Sequence, residues 1–264
     1  MATRFDEKTI QKRLAEGRGK GEYGNYKPWL TVRDVSSSKS RSNRPLGWKT
    51  GRPHQLLSDN EFKYFLYLEW AENVLDIREQ FPLDREDTVR ISKETGIKHP
   101  FMYETYQVLS TDFLILLDDG RFIARTFKEA KDLENRRNLE KLSIEQIYWQ
   151  EKDVDWGIVT NNELDPVFVR NVSLLHGFRK TAEEINNPAA LKRIIGLIRS
   201  SNCLISEILE ETDAMLGLVH GTSLSLYKSA VANKIILMDM FKPFTINAYT
   251  EELIVVKDFM EHSA

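Results

Sequence analysis

The stretch TDFLILLDDGRFIARTFK, residues 111–128, decides the fold, because two apolar β-rich runs flank the turn sequence DDG at 118–120. This arrangement predicts a β-hairpin. With a three-residue loop and its glycine in the left-handed conformation, Asp112 lies opposite Thr126, and Lys128 lies diagonally across from them. A two-residue loop would turn Asp112 to the other face, since a one-residue slip inverts every side chain. We favour the three-residue loop, which brings these polar side chains to one face.

Segments on both sides of the hairpin extend it into an α/β domain. Ser58 followed by Glu61 is a capping-box pattern and predicts the start of an apolar helix. Further predicted elements are a strand over 74–81, a helix over 132–152 and a strand over 155–160. A strand, a crossover helix and another strand favour parallel pairing, so we predict a mixed sheet flanked by helices. The roughly 25 residues after the first of these strands are predicted as a long loop, which is usually functional or mobile.

The C-terminal third has a different pattern. Residues 167–232 are predicted to be mostly helical, and residues 235–256 are β-like. The predicted helix breaks fall near Gly177, Asn187-Pro188, Ser200-Ser201 and His220-Gly221. Helices followed by a hairpin favour a smaller, winged-helix-like domain. We therefore expect two domains, residues 1–166 and 167–264.

Composition excludes several classes of protein. The chain has 264 residues, 37 Lys and Arg, 40 Asp and Glu, and a formal charge of −3. It contains no apolar run long enough for a membrane span, and its N-terminal residues lack the apolar region of a signal peptide. We expect a cytoplasmic protein with no membrane partner. Cys203 is the only cysteine, which excludes intrachain disulfides and multi-thiolate metal sites.

One segment, residues 36–53, is basic and contains no acid. Its charged residues are Lys39, Arg41, Arg44, Lys49 and Arg52. Serines, glycine and prolines among them indicate a segment that does not bury itself. It is either a solvated loop or an arm that contacts DNA phosphates, and composition alone does not choose between the two.

The residues that could carry chemistry are an acid on a helix, an acid on a strand and a lysine on the next strand. Glu61, Asp112 and the run Thr126-Phe127-Lys128 occupy these places, which is the PD-(D/E)xK nuclease pattern. Mg²⁺ prefers oxygen ligands, and closely spaced divalent ions assist phosphodiester hydrolysis. Asp112 would anchor the metal, Glu61 would reach it from the helix, and the Phe127 carbonyl would add a ligand. Lys128 would orient water or neutralise charge.

Each of these residues also has an ordinary interpretation. Glu61 could simply complete its capping box. Asp112 could be a strand-end residue, and Lys128 an edge-strand charge. The pattern by itself leaves both interpretations open.

Seven ordered blocks of sequence give a more specific signal. They are GRGKG at 17–21, YKPWLTV at 26–32, LLSD at 56–59 with LEW at 68–70, LDIREQFPL at 75–83, GIKHP at 96–100, STDF at 110–113 and YWQ at 148–150. Together they resemble the TnsA family, the endonuclease subunits of heteromeric transposases of the Tn7 type. The resemblance covers roughly residues 10–175 strongly and the remainder by general character only.

The resemblance implies a restriction-endonuclease-like N-terminal domain and a smaller helical C-terminal domain. It implies cleavage of the 5′ strands at transposon ends with Mg²⁺, or Mn²⁺ as a substitute. The implied partners are DNA, the DDE transposase TnsB and the ATPase regulator TnsC.

Carried over residue by residue, the resemblance places the metal-binding acids of the family on Glu61 and Asp112 and its essential lysine on Lys128. Thr126 departs from the Gln, Glu or Asp usual at its position, but its hydroxyl can still bind metal directly or through water. Glu145 matches a further family acid, to which we assign a contributory role only.

Three functions follow as hypotheses. The first is the endonuclease subunit of a heteromeric transposase. The second is a catalytically silent assembly module that binds the transposase and the regulator, with Thr126 marking decay of the site. The third is a stand-alone restriction-type nuclease, which would cut DNA without a partner.

Overall fold

The computed structural model describes residues 5–35, 41–179 and 187–256. The chain divides into two compact units, with the division between Leu164 and Asp165. No helix among the described residues is long and apolar enough to cross a bilayer. Each unit is described here by itself.

The first unit is a mixed sheet flanked by helices. In chain order its elements are α1 (Glu7–Ala15), α2 (Asp59–Trp70), β1 (Val74–Pro82), α3 (Arg85–Thr95), β2 (Phe101–Met102), β3 (Thr105–Tyr106), β4 (Ser110–Leu117), β5 (Phe122–Lys128), α4 (Arg136–Glu151) and β6 (Asp155–Thr160). The strand order is β1-β4-β5-β6, with the first two pairs antiparallel and β6 parallel to β5. The predicted mixed sheet and its parallel last strand are confirmed.

The β4–β5 hairpin has the predicted register. Phe113 pairs with Arg125 and Leu116 pairs with Phe122. Gly120 closes the turn by donating its N–H to the Leu117 carbonyl at 3.0 Å, and its φ of +83° requires the left-handed region that glycine adopts without strain. The three-residue loop is therefore confirmed, and continuing this register places Asp112 opposite Thr126.

Apolar cores cover both faces of the sheet. On one face, α2 packs Phe65 and Leu68 against Ile77 of β1 and against Phe113, Ile115 and Leu117 of β4. On the other face, α3 and α4 bury a second cluster made of Leu83, Ile91, Leu114, Ala124, Ile144, Tyr148 and Trp149. Because both faces are covered, β1 and β4 are buried along most of their length, and in β1 the buried residues include the polar side chains of Asp76, Arg78, Glu79 and Gln80.

Strand β1 changes the direction of its side chains near its end. Ile77 and Leu83 are six residues apart, so simple alternation would place both side chains on the same face of the sheet. They belong instead to cores on opposite faces. Between them Gln80 has a φ of +49°, a conformation that is uncommon for any residue except glycine. The Gln80 carbonyl accepts a hydrogen bond from the Trp29 N–H at 3.0 Å, which holds this conformation.

The prediction of a long loop after β1 is wrong over much of its length. Asp84 accepts hydrogen bonds from the N–H groups of Glu86 and Asp87 and starts α3, which ends at Gly96 with a φ of +70°. This helix has an N-cap aspartate and a C-terminal glycine. Only the residues after Gly96 form a loop, followed by the short β2–β3 hairpin.

The second unit is mainly helical, as predicted. It contains α5 (Pro166–His176), α6 (Pro188–Ser200), α7 (Ile205–Met215), α8 (Thr222–Ala232) and a two-stranded ribbon of β7 (Ile236–Leu237) and β8 (Ile254–Val255). The ends of α5 and α6 and the starts of α6 and α8 fall at or beside the predicted breaks, whereas α7 ends at Met215, where no break is predicted. Its winged-helix assignment stays a prediction.

Candidate active site

A cleft of about 530 Å³ in the first unit contains every predicted catalytic and metal-binding residue. These are Glu61, Asp112, Thr126, Phe127, Lys128 and Glu145. They come from α2, the ends of β4 and β5, and α4. Elements far apart in sequence therefore converge on one space.

Glu61 lies at the capped start of α2 and lines the cleft, but its carboxylate accepts from the Leu57 N–H and does not close the predicted capping box on the Ser58 N–H. Its N–H donates to Ser58 Oγ at 3.1 Å, while its carboxylate accepts from Ser58 Oγ at 3.0 Å and from the Leu57 N–H at 2.9 Å. Burial, and after it the negative charge of Asp112, raises the pKa of the Glu61 carboxyl to about 8. A place at the capped start of α2 and a place in the cleft are thus compatible.

Asp112 lies at the point where β4 and β5 leave their regular pairing. Its Oδ2 accepts the Phe127 N–H at 2.8 Å and lies 3.7 Å from Lys128 Nζ. Its Oδ1 is 3.4 Å from Gln80 Nε2, which is also 3.3 Å from Glu61 Oε2. The carboxylates of Glu61 and Asp112 therefore share one donor nitrogen.

Lys128 and the Phe127 carbonyl are in contact. Lys128 Nζ donates to this carbonyl at 2.8 Å. The lysine thus lies beside both the Asp112 carboxylate and the carbonyl predicted as a ligand. Its half-exposed side chain keeps the positive charge at the mouth of the cleft.

Thr126 is buried and its hydroxyl donates to Glu145 Oε1. The same carboxylate oxygen accepts the Thr111 hydroxyl at 2.7 Å. Burial raises the pKa of Glu145, and the two hydroxyl hydrogen bonds oppose this rise. Glu145 therefore adds a third carboxylate to the cleft wall, directly beside the position at which the family pattern is broken.

The donor groups suit a hard divalent cation. Among the described residues, no group of three or more His, Cys, Asp or Glu side chains is arranged to hold a metal ion. The site instead offers the Glu61 and Asp112 carboxylates, the Thr126 hydroxyl and the Phe127 carbonyl, all of them oxygen donors. Glu61 and Asp112 place two carboxylates side by side, and burial together with the charge of Asp112 raises the pKa of Glu61.

The basic segment is less exposed than its sequence predicts. Arg41 and Arg44 are exposed, while Lys39 lies outside the described residues. Lys49 donates to the carbonyl of Ala71 at 2.6 Å, at the C-terminus of α2. Of the predicted DNA-contacting residues in the described part of the chain, Arg41 and Arg44 are the two with exposed side chains.

The prediction that Arg52 contacts DNA is wrong. Its guanidinium is buried and donates to both carboxylate oxygens of Glu79, at 2.7 and 2.5 Å. His54 Nδ1 lies 2.7 Å from the same carboxylate. Burial would raise the pKa of Glu79, but His54 and Arg52 outweigh it and lower this pKa to about 2. Part of the basic segment is therefore core.

The sequence interpretation missed Gln80. The sequence predicts only that Gln80 lies in a strand, because an isolated glutamine does not by itself indicate a catalytic or binding role. Its place within the EQFP sequence at a strand end gave no sign of its positive φ. A three-dimensional structure was needed to place it between the two acids.

The fold and the cleft define an α/β protein whose first unit brings two carboxylates and a lysine together in one space. Two family models match the chain: "TnsA-like endonuclease N terminal" over residues 71–161 and "TnsA endonuclease C terminal" over residues 163–240. The Transposon Tn7 transposition protein TnsA of Escherichia coli is 42% identical over 248 residues, which cover 92% of this chain and 90% of that protein. The chain belongs to the TnsA endonuclease family.

Proposed function

We propose that this chain is the metal-dependent DNA endonuclease subunit of a Tn7-type transposase and cuts the 5′ strands at transposon ends. The convergence of Glu61, Asp112 and Lys128 in one cleft carries the proposal. Family membership supports it, since the matching family models and the E. coli relative are named for an endonuclease and for transposition.

The chain's own residues would divide the work of hydrolysis. Glu61 and Asp112 would hold Mg²⁺, or Mn²⁺ in its place, together with the Phe127 carbonyl and the Thr126 hydroxyl. When bound, the metal would polarise the phosphodiester and favour ionisation of its water. Lys128, half-exposed beside Asp112, would neutralise charge on the attacked phosphate and orient the water.

The charge of the cleft supports a role for cations. Its wall includes five acidic residues, Glu61, Asp112, Glu129, Asp132 and Glu145, but only two lysines, Lys128 and Lys141. A DNA phosphate entering an acidic space is repelled unless cations compensate. Lys128 alone does not offset this excess.

Partners would supply most of the DNA affinity and the choice of site. The sequence pI is about 6.0, whereas autonomous sequence-independent DNA binding rests on a broad basic surface. The exposed Arg41 and Arg44 would add phosphate contacts within a complex. We propose the DDE transposase TnsB and the ATPase regulator TnsC as those partners.

A strand-resolved cleavage assay tests this function. The purified chain, with and without its matching DDE transposase, is incubated with end-labelled transposon-end DNA in Mg²⁺, Mn²⁺ or chelator. We expect 5′-strand cuts that need both the divalent ion and the transposase. Cutting by the chain alone would instead support a stand-alone nuclease. An absence of 5′ cuts in an assembled, 3′-cutting complex would support the silent assembly module.

A further inference from the structure

Gln80 occupies an unusual position between two acids. Its side chain is buried, and its Nε2 lies 3.3 Å from Glu61 Oε2 and 3.4 Å from Asp112 Oδ1. An amide nitrogen carries two N–H groups, so one can serve each carboxylate. The side chain thus joins the acid on α2 to the acid on β4.

The orientation of the amide follows from its neighbours. Carboxylates that bind a metal ion are ionised and only accept hydrogen bonds, so in the metal-binding form of the site the group facing Glu61 and Asp112 is the N–H₂ end. On its other side Gln80 Oε1 lies 3.3 Å from Ser110 Oγ, whose hydroxyl can donate. A flipped amide would place its oxygen against two carboxylates and its donors against a hydroxyl. The observed orientation satisfies every partner.

The backbone of Gln80 is fixed as well. Its φ of +49° is a costly conformation for a residue with a side chain, and such strain persists only where the surroundings enforce it. The hydrogen bond from the buried Trp29 N–H to its carbonyl, at 3.0 Å, is one such restraint. A held backbone and a doubly engaged amide leave the side chain little freedom.

We propose that Gln80 is a positioning residue whose amide holds the Glu61 and Asp112 carboxylates at the separation at which one divalent cation can bind both. The amide is neutral, so it lowers the repulsion between the acids through its N–H dipoles without neutralising the charge that attracts the cation. The inference rests on the proposed metal-dependent function. It assigns Gln80 no contact with the substrate.

Direct binding of Mn²⁺ to the full-length protein tests the proposal without relying on activity. Gln80→Met keeps the length of the side chain and removes both donors. Partners that orient ligands typically contribute roughly 10–100-fold to metal affinity, so we expect Mn²⁺ binding, followed by calorimetry and by the EPR signal of free Mn²⁺, to weaken by that factor. Cleavage by the transposase complex should recover when Mn²⁺ is raised by the same factor.

Gln107→Met is the matched control. Gln107 is a second buried glutamine in the wall of the same cleft, and its amide nitrogen donates only to backbone carbonyls, those of Phe5, Met102 and Thr105. The same substitution there should lower the melting temperature and leave Mn²⁺ affinity unchanged. Equal losses of affinity in both variants would mean that Gln80 has only a structural role and would overturn the proposal.

Gln80→Glu keeps the argument testable if Gln80→Met folds poorly. This change replaces the amide donor by a carboxylate that faces Glu61 and Asp112, so the metal-free protein should melt at a lower temperature. Mn²⁺ should then raise the melting temperature of the variant more than that of the wild type. A shift no larger than that of the wild type would contradict the proposal.

Asp112→Ala separates failure of this inference from failure of the proposed function. Mn²⁺ binding by the wild type that is lost in Asp112→Ala and unchanged in Gln80→Met would overturn the role of Gln80 and leave the metal site standing. A wild type that binds no Mn²⁺ would overturn both.

Discussion

Two buried acid clusters lie side by side in the first unit, and they differ in how their charge is balanced. Glu79 accepts hydrogen bonds from Arg52 and lies against His54, and its pKa falls to about 2. Glu61 is equally buried but faces Asp112, and its pKa rises to about 8. Adjacent residues of β1, Glu79 and Gln80, contact the two clusters.

We propose that this difference separates a structural acid, Glu79, from a metal-binding one, Glu61. A buried carboxylate with its cations already in place stabilises the fold and has no charge to offer a ligand. In the second cluster two carboxylates face each other beside Lys128, whose Nζ lies 3.7 Å from Asp112, and the raised pKa of Glu61 reflects burial and a repulsion that a bound metal ion would relieve. Burial alone therefore does not identify the site, whereas the balance of charge does.

The largest expected effect is on cleavage. Asp112→Ala removes a carboxylate shared by the proposed metal site, so 5′-strand cleavage should fall by roughly a thousandfold or more, the scale of losing electrostatic stabilisation of a transition state. Gel assays of end-labelled DNA measure this loss. Asp118→Ala, an exposed position in the turn of the same hairpin, is the control and should cut normally. A large loss of thermal stability in Asp112→Ala would point to a structural role.

Glu79→Ala should act on stability. Removing this acid leaves the buried Arg52 without its partner, and breaking a buried pair in this way costs roughly 3–5 kcal/mol of unfolding free energy. Urea denaturation measures the change. Glu61→Ala is the matched substitution in the other cluster and should cost much less, about 1 kcal/mol for the capping contacts. Similar losses for the two variants would remove the distinction between the clusters.

The pH dependence of stability should follow Glu79. Because its folded-state pKa is about 2 and its ordinary value is 4.5, its contribution is fully present above pH 4.5 and is lost as the pH falls toward 2. Unfolding free energy from urea titrations at several pH values tests this. Glu79→Gln should flatten the curve between pH 4.5 and 2. An unaltered slope in that variant would show that other groups control acid unfolding.

Thr126 should influence the metal requirement more than the maximal rate. Thr126→Ala removes a neutral oxygen near the proposed ligands and the hydroxyl that Glu145 accepts, so we expect the Mg²⁺ concentration for half-maximal cleavage to rise by roughly severalfold. Thr126→Asp adds a charged oxygen and should lower this concentration. Unchanged metal dependence in both variants would show that residue 126 is not a ligand.

The smallest effect should come from the basic segment. Arg44→Ala removes one exposed charge, so DNA affinity of the assembled complex should fall modestly and the slope of log affinity against log salt should decrease by about 1. Arg52→Ala should instead lower stability, because its guanidinium is buried against Glu79. Salt titrations with fluorescent DNA and urea denaturation compare the two arginines. Weaker DNA binding by Arg52→Ala with no loss of stability would contradict the assignment of Arg52 to the core.

The hairpin and the positions of the acids could be predicted from the sequence because they depend on local rules. A DDG turn fixes the register of β4 and β5, which pairs Phe113 with Arg125 and leads to Asp112 and Thr126 at the end of the paired region. The Ser58 N-cap pattern locates Glu61 in the first turn of α2. Local rules for turns and helix caps therefore predict the positions of most residues of the candidate site.

The features that could not be predicted depend on tertiary contacts. Arg52 lies in a basic, polar segment that predicts an exposed side chain. Its guanidinium is buried because it pairs with the buried Glu79 carboxylate, a contact that the sequence does not reveal. Gln80 reverses the alternation of β1 through a positive φ, which strand periodicity does not anticipate. The sequence of α3, REDTVRISKET, is largely polar and therefore predicts a loop, whereas its N-cap Asp84 and C-terminal Gly96 form a helix.

Locating a bound metal ion tests the central claim most directly. A crystal of the full chain soaked in Mn²⁺ would give an anomalous difference peak at each ordered ion. The account predicts a peak within coordinating distance of the Glu61 and Asp112 carboxylates, with none beside Glu79. A well-diffracting soaked crystal with no peak at Glu61 and Asp112 would contradict it.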